Sequence, residues 1–243
     1  MPYHFSGTFH HPVDAFFETV SGLTTTGATV LQEIETVPSL LLLWRSLTQW
    51  IGGMGIIVLT VAILPLLGVG GAELFVAEAP GPTSNKIHPR IRETAKRLWF
   101  IYLGLTAILI VSLSLVGMTV FDAVNHGLTT MATGGFSTKN ASIAYYEQPI
   151  IHYIITIFMF IAGVNYTVIY FGVKLRWKRV IQSDEFKTYV IGIFVLIALL
   201  TSYLFFNGHY ELERSFRTAS FQVVSIVTTT GYVTEDYTAW SPL

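Results

Sequence analysis

Four runs of predominantly apolar residues, at 40–67, 98–118, 150–173 and 189–206, constrain this chain more than any other feature. A helix needs roughly 20 such residues to cross the ~30 Å hydrocarbon core of a bilayer. Core helices of water-soluble proteins are rarely this long and this evenly apolar. Each run is therefore expected to form a transmembrane helix, and the fold class to be all-α integral membrane. Only 12% of the residues are charged, against about 25% in an average soluble domain. The first run carries Arg45 and Gln49 near its start, which predicts packing against protein rather than lipid there.

Charge placement predicts the orientation. Ten of the 14 Lys and Arg residues fall in two loops. One holds Lys86, Arg90, Arg92, Lys96 and Arg97; the other holds Lys174, Arg176, Lys178, Arg179 and Lys187. Cytoplasmic loops are enriched in Lys and Arg, and interfacial Trp is common at span ends. Both loops are thus expected to face the cytoplasm, with Trp99 and Trp177 at that interface. The opposite-side segments carry Glu33, Glu35, Glu147, Glu235 and Asp236, which can concentrate cations at an outer mouth. Residues 1–8 lack the basic region and apolar core of a signal peptide. Cysteine is absent, which excludes disulfides and thiolate chemistry. Nothing in the composition points to a nucleic-acid partner.

Between the spans a short segment occurs three times. It reads Thr25-Thr26-Gly27-Ala28-Thr29, then Ala132-Thr133-Gly134-Gly135-Phe136, then Thr229-Thr230-Gly231-Tyr232-Val233. Aligned on Gly27, Gly134 and Gly231, the copies lie 107 and 97 residues apart. Each follows a short amphipathic stretch, at 14–23, 122–131 and about 215–227. Ten helical residues span only ~15 Å, about half of the hydrocarbon core. The spacing predicts re-entrant half-helices that dip in from outside and return as extended chain. Non-helical backbone at that depth is tolerated only inside protein or along a water-filled path. Asp14 and Asp122 stand at half-helix starts, where they are expected to cap free N–H groups and suit the dipole.

Such a half-helix points its negative C-terminal end at the membrane centre, which favours a cation there. The Thr-Gly backbone that follows can turn carbonyl oxygens inward to replace an ion's hydration shell. Glycine suits such backbone because it reaches positive φ and permits close approach. The candidate cation-coordinating residues are Thr25, Thr26, Gly27, Ala132, Thr133, Gly134, Thr229, Thr230 and Gly231.

Four stretches resemble the TrkH-type potassium uptake family of the Trk/Ktr/HKT superfamily. They begin at Asp14-Ala-Phe-Phe-Glu18, Trp44-Arg-Ser-Leu-Thr-Gln49, Glu78-Ala-Pro-Gly-Pro82 and Met131-Ala-Thr-Gly-Gly-Phe136, and the similarity runs through the whole chain. The resemblance implies a single polypeptide with four repeats of outer helix, pore half-helix, filter and inner helix. On that mapping, residues 1–75 form repeat one without its outer helix, and 94–173 form a complete repeat two. Residues 188–243 form repeat three without its inner helix, which in the family carries a flexible gating loop. Repeat four is absent, and 76–93 and 174–187 are cytoplasmic loops. The resemblance further implies a multi-pass protein of a bacterial inner membrane that carries K⁺. It also implies a homodimer and a cytosolic nucleotide-binding regulator of the TrkA type. Position 27 is Gly; a Ser there accompanies Na⁺ preference in plant relatives, so the K⁺ reading is favoured. The rivals are a Na⁺-permeable or Na⁺-coupled Ktr-type transporter and a non-conducting assembly subunit.

An enzyme is not expected. The spans offer almost no titratable groups apart from Arg45, and no P-loop, Gly-x-Ser-x-Gly or His-Glu-x-x-His motif occurs. Arg45 is expected to pair with Glu18 or with filter-region carbonyls. Gly52, Gly53 and Gly55 make one helix face small, as close packing requires. His126 and His152 lack ligand spacing and are read as structural. Asn165, inside an apolar run, is expected to reach another helix. Asn140-Ala-Ser142 matches a glycosylation acceptor only weakly.

Overall fold

The computed structural model describes residues 3, 7–9, 11–63, 87–207, 210–237 and 240, and only the backbone of 56–63 and 87–94. The described residues are helical, with turns and extended linkers and no strand. Three amphipathic helices precede the repeated segments: α1 (Pro12–Leu23), α4 (Val120–Met131) and α9 (Leu212–Val227). At 12, 12 and 16 residues they reach only ~18–24 Å, as half-helices should. Three other helices are long: α2 (Ser39–Ile63), α3 (Ile87–Leu115) and α8 (Asp184–Phe206). Residues 95–115 of α3 and all of α8 are long and apolar enough to cross a bilayer. Their outward faces carry Phe100, Ile108 and Val111, and Ile191, Phe194 and Leu199, all exposed. Continuous apolar exposure of this kind fits lipid rather than water. Residues 64–67 of the first expected span, Lys86, and the stretch Glu78–Pro82 lie outside the described residues.

Local chemistry sets the short helices. α1 starts with Pro at its first turn, where the missing N–H costs nothing. In α4 the cap is Thr119, whose hydroxyl accepts from the Asp122 N–H at 3.1 Å. Asp122 is therefore not the cap expected from the sequence. Its carboxylate accepts instead from Thr119 (2.8 Å) and from Thr138 (2.6 Å), tying the helix start to the returning chain.

The third expected span is not one helix. It divides into α5 (Pro149–Ala162) and α6 (Tyr166–Val173), bent by 106°. Gly163 ends α5, and Asn165 caps α6 by accepting from the Thr167 N–H at 2.9 Å. Asn165 thus sits in the break rather than inside a helix. Its amide still reaches a neighbour, donating to Glu185 of α8 at 3.3 Å. A short basic helix, α7 (Trp177–Gln182), links α6 to α8.

The packing pattern turns. Half-helix α4 packs on α5 behind it and on α2 before it; α9 packs on α5 before it and on α8. α1 packs on α2. α4 and α9 therefore each wedge against the helix that follows the preceding half-helix, α2 and α5 respectively. One core, including Tyr102, Leu109, Ile151, Ile155, Ile193 and Phe221, runs beneath the second and third units.

Candidate filter site

The three half-helices end in the same backbone turn. The N–H of Thr26 bonds Ser21 O at 3.0 Å, that of Gly134 bonds Thr129 O at 2.9 Å, and that of Thr230 bonds Ser225 O at 2.9 Å. Thr25, Thr133 and Thr229 have φ of 55°, 52° and 59°, and Gly27, Gly135 and Gly231 have φ of 77°, 73° and 79°. This geometry fixes the register. Gly135, not Gly134, is the counterpart of Gly27 and Gly231, so the true spacings are 108 and 96 residues. Gly134 matches Thr26 and Thr230, and Ala132 is a helix cap like Thr24 and Thr228. Matching the Thr-Gly dipeptide slipped copy two by one residue because Gly134 and Gly135 are adjacent.

Positive φ is unusual for a β-branched residue and costs ~1–3 kcal/mol at each position. Its recurrence at three matched threonines marks a backbone held for a purpose rather than a chance turn. The same hydroxyl braces hold copies one and three. Ser21 donates to Ala28 O at 2.6 Å and Ser225 donates to Tyr232 O at 2.7 Å. Thr24 bonds Thr26, and Thr228 bonds Thr230, both at 2.8 Å.

Neighbouring copies interlock. A methyl group on Gly27 would overlap the Gly134 carbonyl oxygen, and one on Gly135 would overlap the Thr230 carbonyl oxygen. Matched positions differ in burial: Gly134 and Phe136 of copy two and Thr230 and Tyr232 of copy three are buried, while Thr26 and Ala28 of copy one are exposed. Tyr232 is fully buried and hydrogen-bonds Thr129 of α4. Tyr232→Phe removes that bond without changing shape, and is expected to destabilise the folded protein by ~1–2 kcal/mol. A thermal scan in detergent with an unchanged midpoint would refute this.

A polar face of α2 joins copies one and two. Arg45 Nε pairs with Glu18 at 2.8 Å, with the two side chains 2% and 0% exposed. Arg45 Nη1 donates to Ser137 O at 3.4 Å, and the guanidinium lies 4.0 Å from the Phe136 ring centre. Glu18 also accepts from the Thr29 hydroxyl at 2.9 Å and the Val30 N–H at 3.2 Å. The pairing expected for Arg45 is thus present on both counts. Gly52 and Gly53 give the space for this approach, facing Leu23 and Ala132 at the half-helix ends. His126 bridges Asp122 O at 2.8 Å and the Ser137 hydroxyl at 3.0 Å. His152 bonds Tyr146 O at 2.7 Å and meets Arg217 at 3.1 Å.

The acidic outer residues are partly committed. Glu33 accepts from the Asn140 amide at 3.2 Å, and Asn140 accepts from the Ile34 N–H at 2.9 Å. Glu235 pairs with Arg214 at 2.8 Å. On the opposite side of the turns lies a cavity of ≈ 330 Å³, lined by Thr25, Met131, Thr133, Gly163, Asn165 and Glu185 among others. The C-terminal ends of α1, α4 and α5 border it, which puts the negative ends of three helices at its rim.

A profile of the TrkH family, described as cation transport protein, matches residues 3–243. The Trk system potassium uptake protein TrkH of Escherichia coli (strain K12) is 47% identical over 230 residues, covering 93% of this chain and 48% of that protein. The TrkH of Vibrio parahaemolyticus is 45% identical over 237 residues, again covering 93% and 48%. The crystal structure of the potassium transporter TrkH from Vibrio parahaemolyticus superposes with a TM-score of 0.81 at 40% identity, covering 94% of this chain and 46% of that one. The chain thus spans about half the length of the relatives it matches. The family match, the sequence identities and the superposition agree that this chain belongs to the TrkH family of membrane cation transport proteins.

Proposed function

We propose that the chain supplies three filter segments of a K⁺-conducting pore in a bacterial inner-membrane uptake system. The observation that carries this reading is the triple recurrence, in one register, of a positive-φ Thr and a positive-φ Gly after a half-length helix. Backbone carbonyls of Thr25, Thr26 and Gly27, of Thr133 and Gly135, and of Thr229, Thr230 and Gly231 stand in for the ion's water shell, while Gly134, the remaining filter position of copy two, has its carbonyl held by the Gln49 amide. Ala132 takes the place of a cap rather than a ligand. The ion leaves through the cavity beneath, toward the basic loops. No covalent chemistry is implied.

On this reading the repeat units are 1–75, 94–173 and 188–243. The proposed partners are a second copy of the whole protein and a cytosolic nucleotide-binding regulator of the TrkA type. The basic loop at 174–187 offers the regulator a surface, and it serves anionic lipid equally.

The test is uptake of rubidium and sodium by cells lacking their own K⁺ uptake, given the whole gene product with its native flanking sequence. The unchanged protein is expected to restore growth at low K⁺ and to prefer rubidium. Gly27→Ser places a side chain at φ 77° against the Gly134 carbonyl, and is expected to cut rubidium uptake by roughly tenfold, equivalent to ~1.4 kcal/mol. Equal sodium and rubidium uptake by the unchanged protein would favour the Na⁺-permeable rival. No uptake of either would favour the non-conducting subunit.

A further inference from the structure

Gln49 lies on α2, in the unit of copy one, yet both of its polar bonds go to copy two. Its amide nitrogen donates to the Gly134 carbonyl at 2.7 Å, and its amide oxygen accepts from the Phe136 N–H at 3.2 Å. The side chain is 0% exposed. One carboxamide therefore grips the backbone on both sides of Gly135. A single hydrogen bond allows a peptide plane to swing; a donor and an acceptor on one rigid planar group do not.

The fit depends on glycine. A methyl group on Gly134 would overlap the Gln49 carboxamide, and the Gly134 carbonyl is the oxygen that fills the space beside Gly27. Gln49 thus sits behind the contact between copies one and two. Copy two lacks the hydroxyl pairs seen at Thr24–Thr26 and Thr228–Thr230, having Ala132 and Gly134 at those positions, and Gln49 holds its backbone from outside the segment.

The matched position in the next unit is different. Gly53 faces Ala132, and Gly163 faces Thr228, the two equivalent caps. Counting back from those glycines, Gln49 corresponds to Met159, which is buried and has no group able to donate to a backbone oxygen. Copy three therefore lacks this grip, and copies two and three are braced differently.

We propose that Gln49 is a positioning residue for ion selectivity: by fixing the peptide planes on either side of Gly135, it sets the spacing at which copy two meets a dehydrated ion. This rests on the filter reading above. A filter held at K⁺ spacing penalises the smaller Na⁺, whereas a relaxed one closes around it.

The experiment compares rubidium and sodium uptake into liposomes holding the whole gene product, unchanged or as Gln49→Met or Gly134→Ala. Gln49→Met keeps the volume and removes both bonds. Gly134→Ala displaces the carboxamide from the other side. Both are expected to raise the sodium-to-rubidium ratio roughly tenfold, the consequence of leaving a buried backbone group unheld, in protein that elutes as one species at the unchanged yield. A folded variant that keeps the original ratio overturns the proposal, as does one that loses both ions in proportion. Should one variant fail to fold, the other decides. If the unchanged protein does not discriminate, the filter reading itself fails; if it discriminates and both variants do too, only the role of Gln49 fails.

Discussion

Gly135→Ala is expected to abolish rubidium uptake, while Gly134→Ala keeps a measurable flux with altered selectivity. The two glycines are adjacent, and the sequence alone gives no reason to rank them this way. At Gly135 the backbone stands at φ 73°, where an L side chain costs ~1–2 kcal/mol. Its methyl would also fall on the Thr230 carbonyl oxygen, a backbone atom of copy three that moves only if that turn moves. At Gly134 φ is not in the left-handed region, and the obstacle is the end of a side chain, Gln49. A side chain can re-orient; a filter carbonyl cannot without changing the site. The check is uptake at equal membrane levels, with gel filtration to establish folding. Gly135→Ala protein that transports like the unchanged form, or Gly134→Ala protein that proves the more damaged of the two, would overturn the register described above.

Much of the architecture was legible because hydropathy and length are properties of whole segments. The spans expected at 98–118 and 189–206 correspond to helices at 95–115 and 184–206 that are long and apolar enough to cross a bilayer, and the half-helices expected at 14–23 and 122–131 start within two residues of the observed ones. The features that were not legible depend on single residues. The break at Gly163 to Asn165 hides in an apolar run because the residues around it are as hydrophobic as a straight span requires. The hint is a capping residue two positions after a glycine; the interhelical hydrogen bond expected of Asn165 is present as well, to Glu185, and does not by itself reveal the break. Copy two slipped by one because its only discriminating signal, distance from the half-helix end, needs the end to be known. Gln49 gave even less. A polar residue near the start of a span predicts burial against protein, and that holds, but which backbone atoms it meets depends on a half-helix more than 70 residues away. Tyr232 likewise reads as part of a filter segment, and only packing shows its hydroxyl on Thr129.

Arg45→Met is expected to lower the thermal midpoint of the detergent-solubilised protein by on the order of 10 °C. Arg45 and Glu18 are both buried, and removing one partner leaves the other as an uncompensated charge, costing about 3–5 kcal/mol. In a chain of this length each kcal/mol shifts the midpoint by about 2–4 °C. The pair itself need not be stabilising, because burying two ions sacrifices hydration that their attraction only partly restores. The double variant Glu18→Gln with Arg45→Met is therefore expected to recover most of the loss. Glutamine at 18 can still accept from Thr29 and from the Val30 N–H, so the returning chain of copy one stays anchored. Copy two loses the Ser137 carbonyl contact in either case, which makes the two readouts separable. Stability should follow the charge balance, while ion selectivity should follow the presence of Arg45. A double variant no more stable than Arg45→Met would show that the bond to Ser137 and the stacking on Phe136, rather than the ion pair, hold this corner together. A double variant that is stable yet fully selective would show that Arg45 serves the scaffold alone, and that the positioning of copy two is left to Gln49.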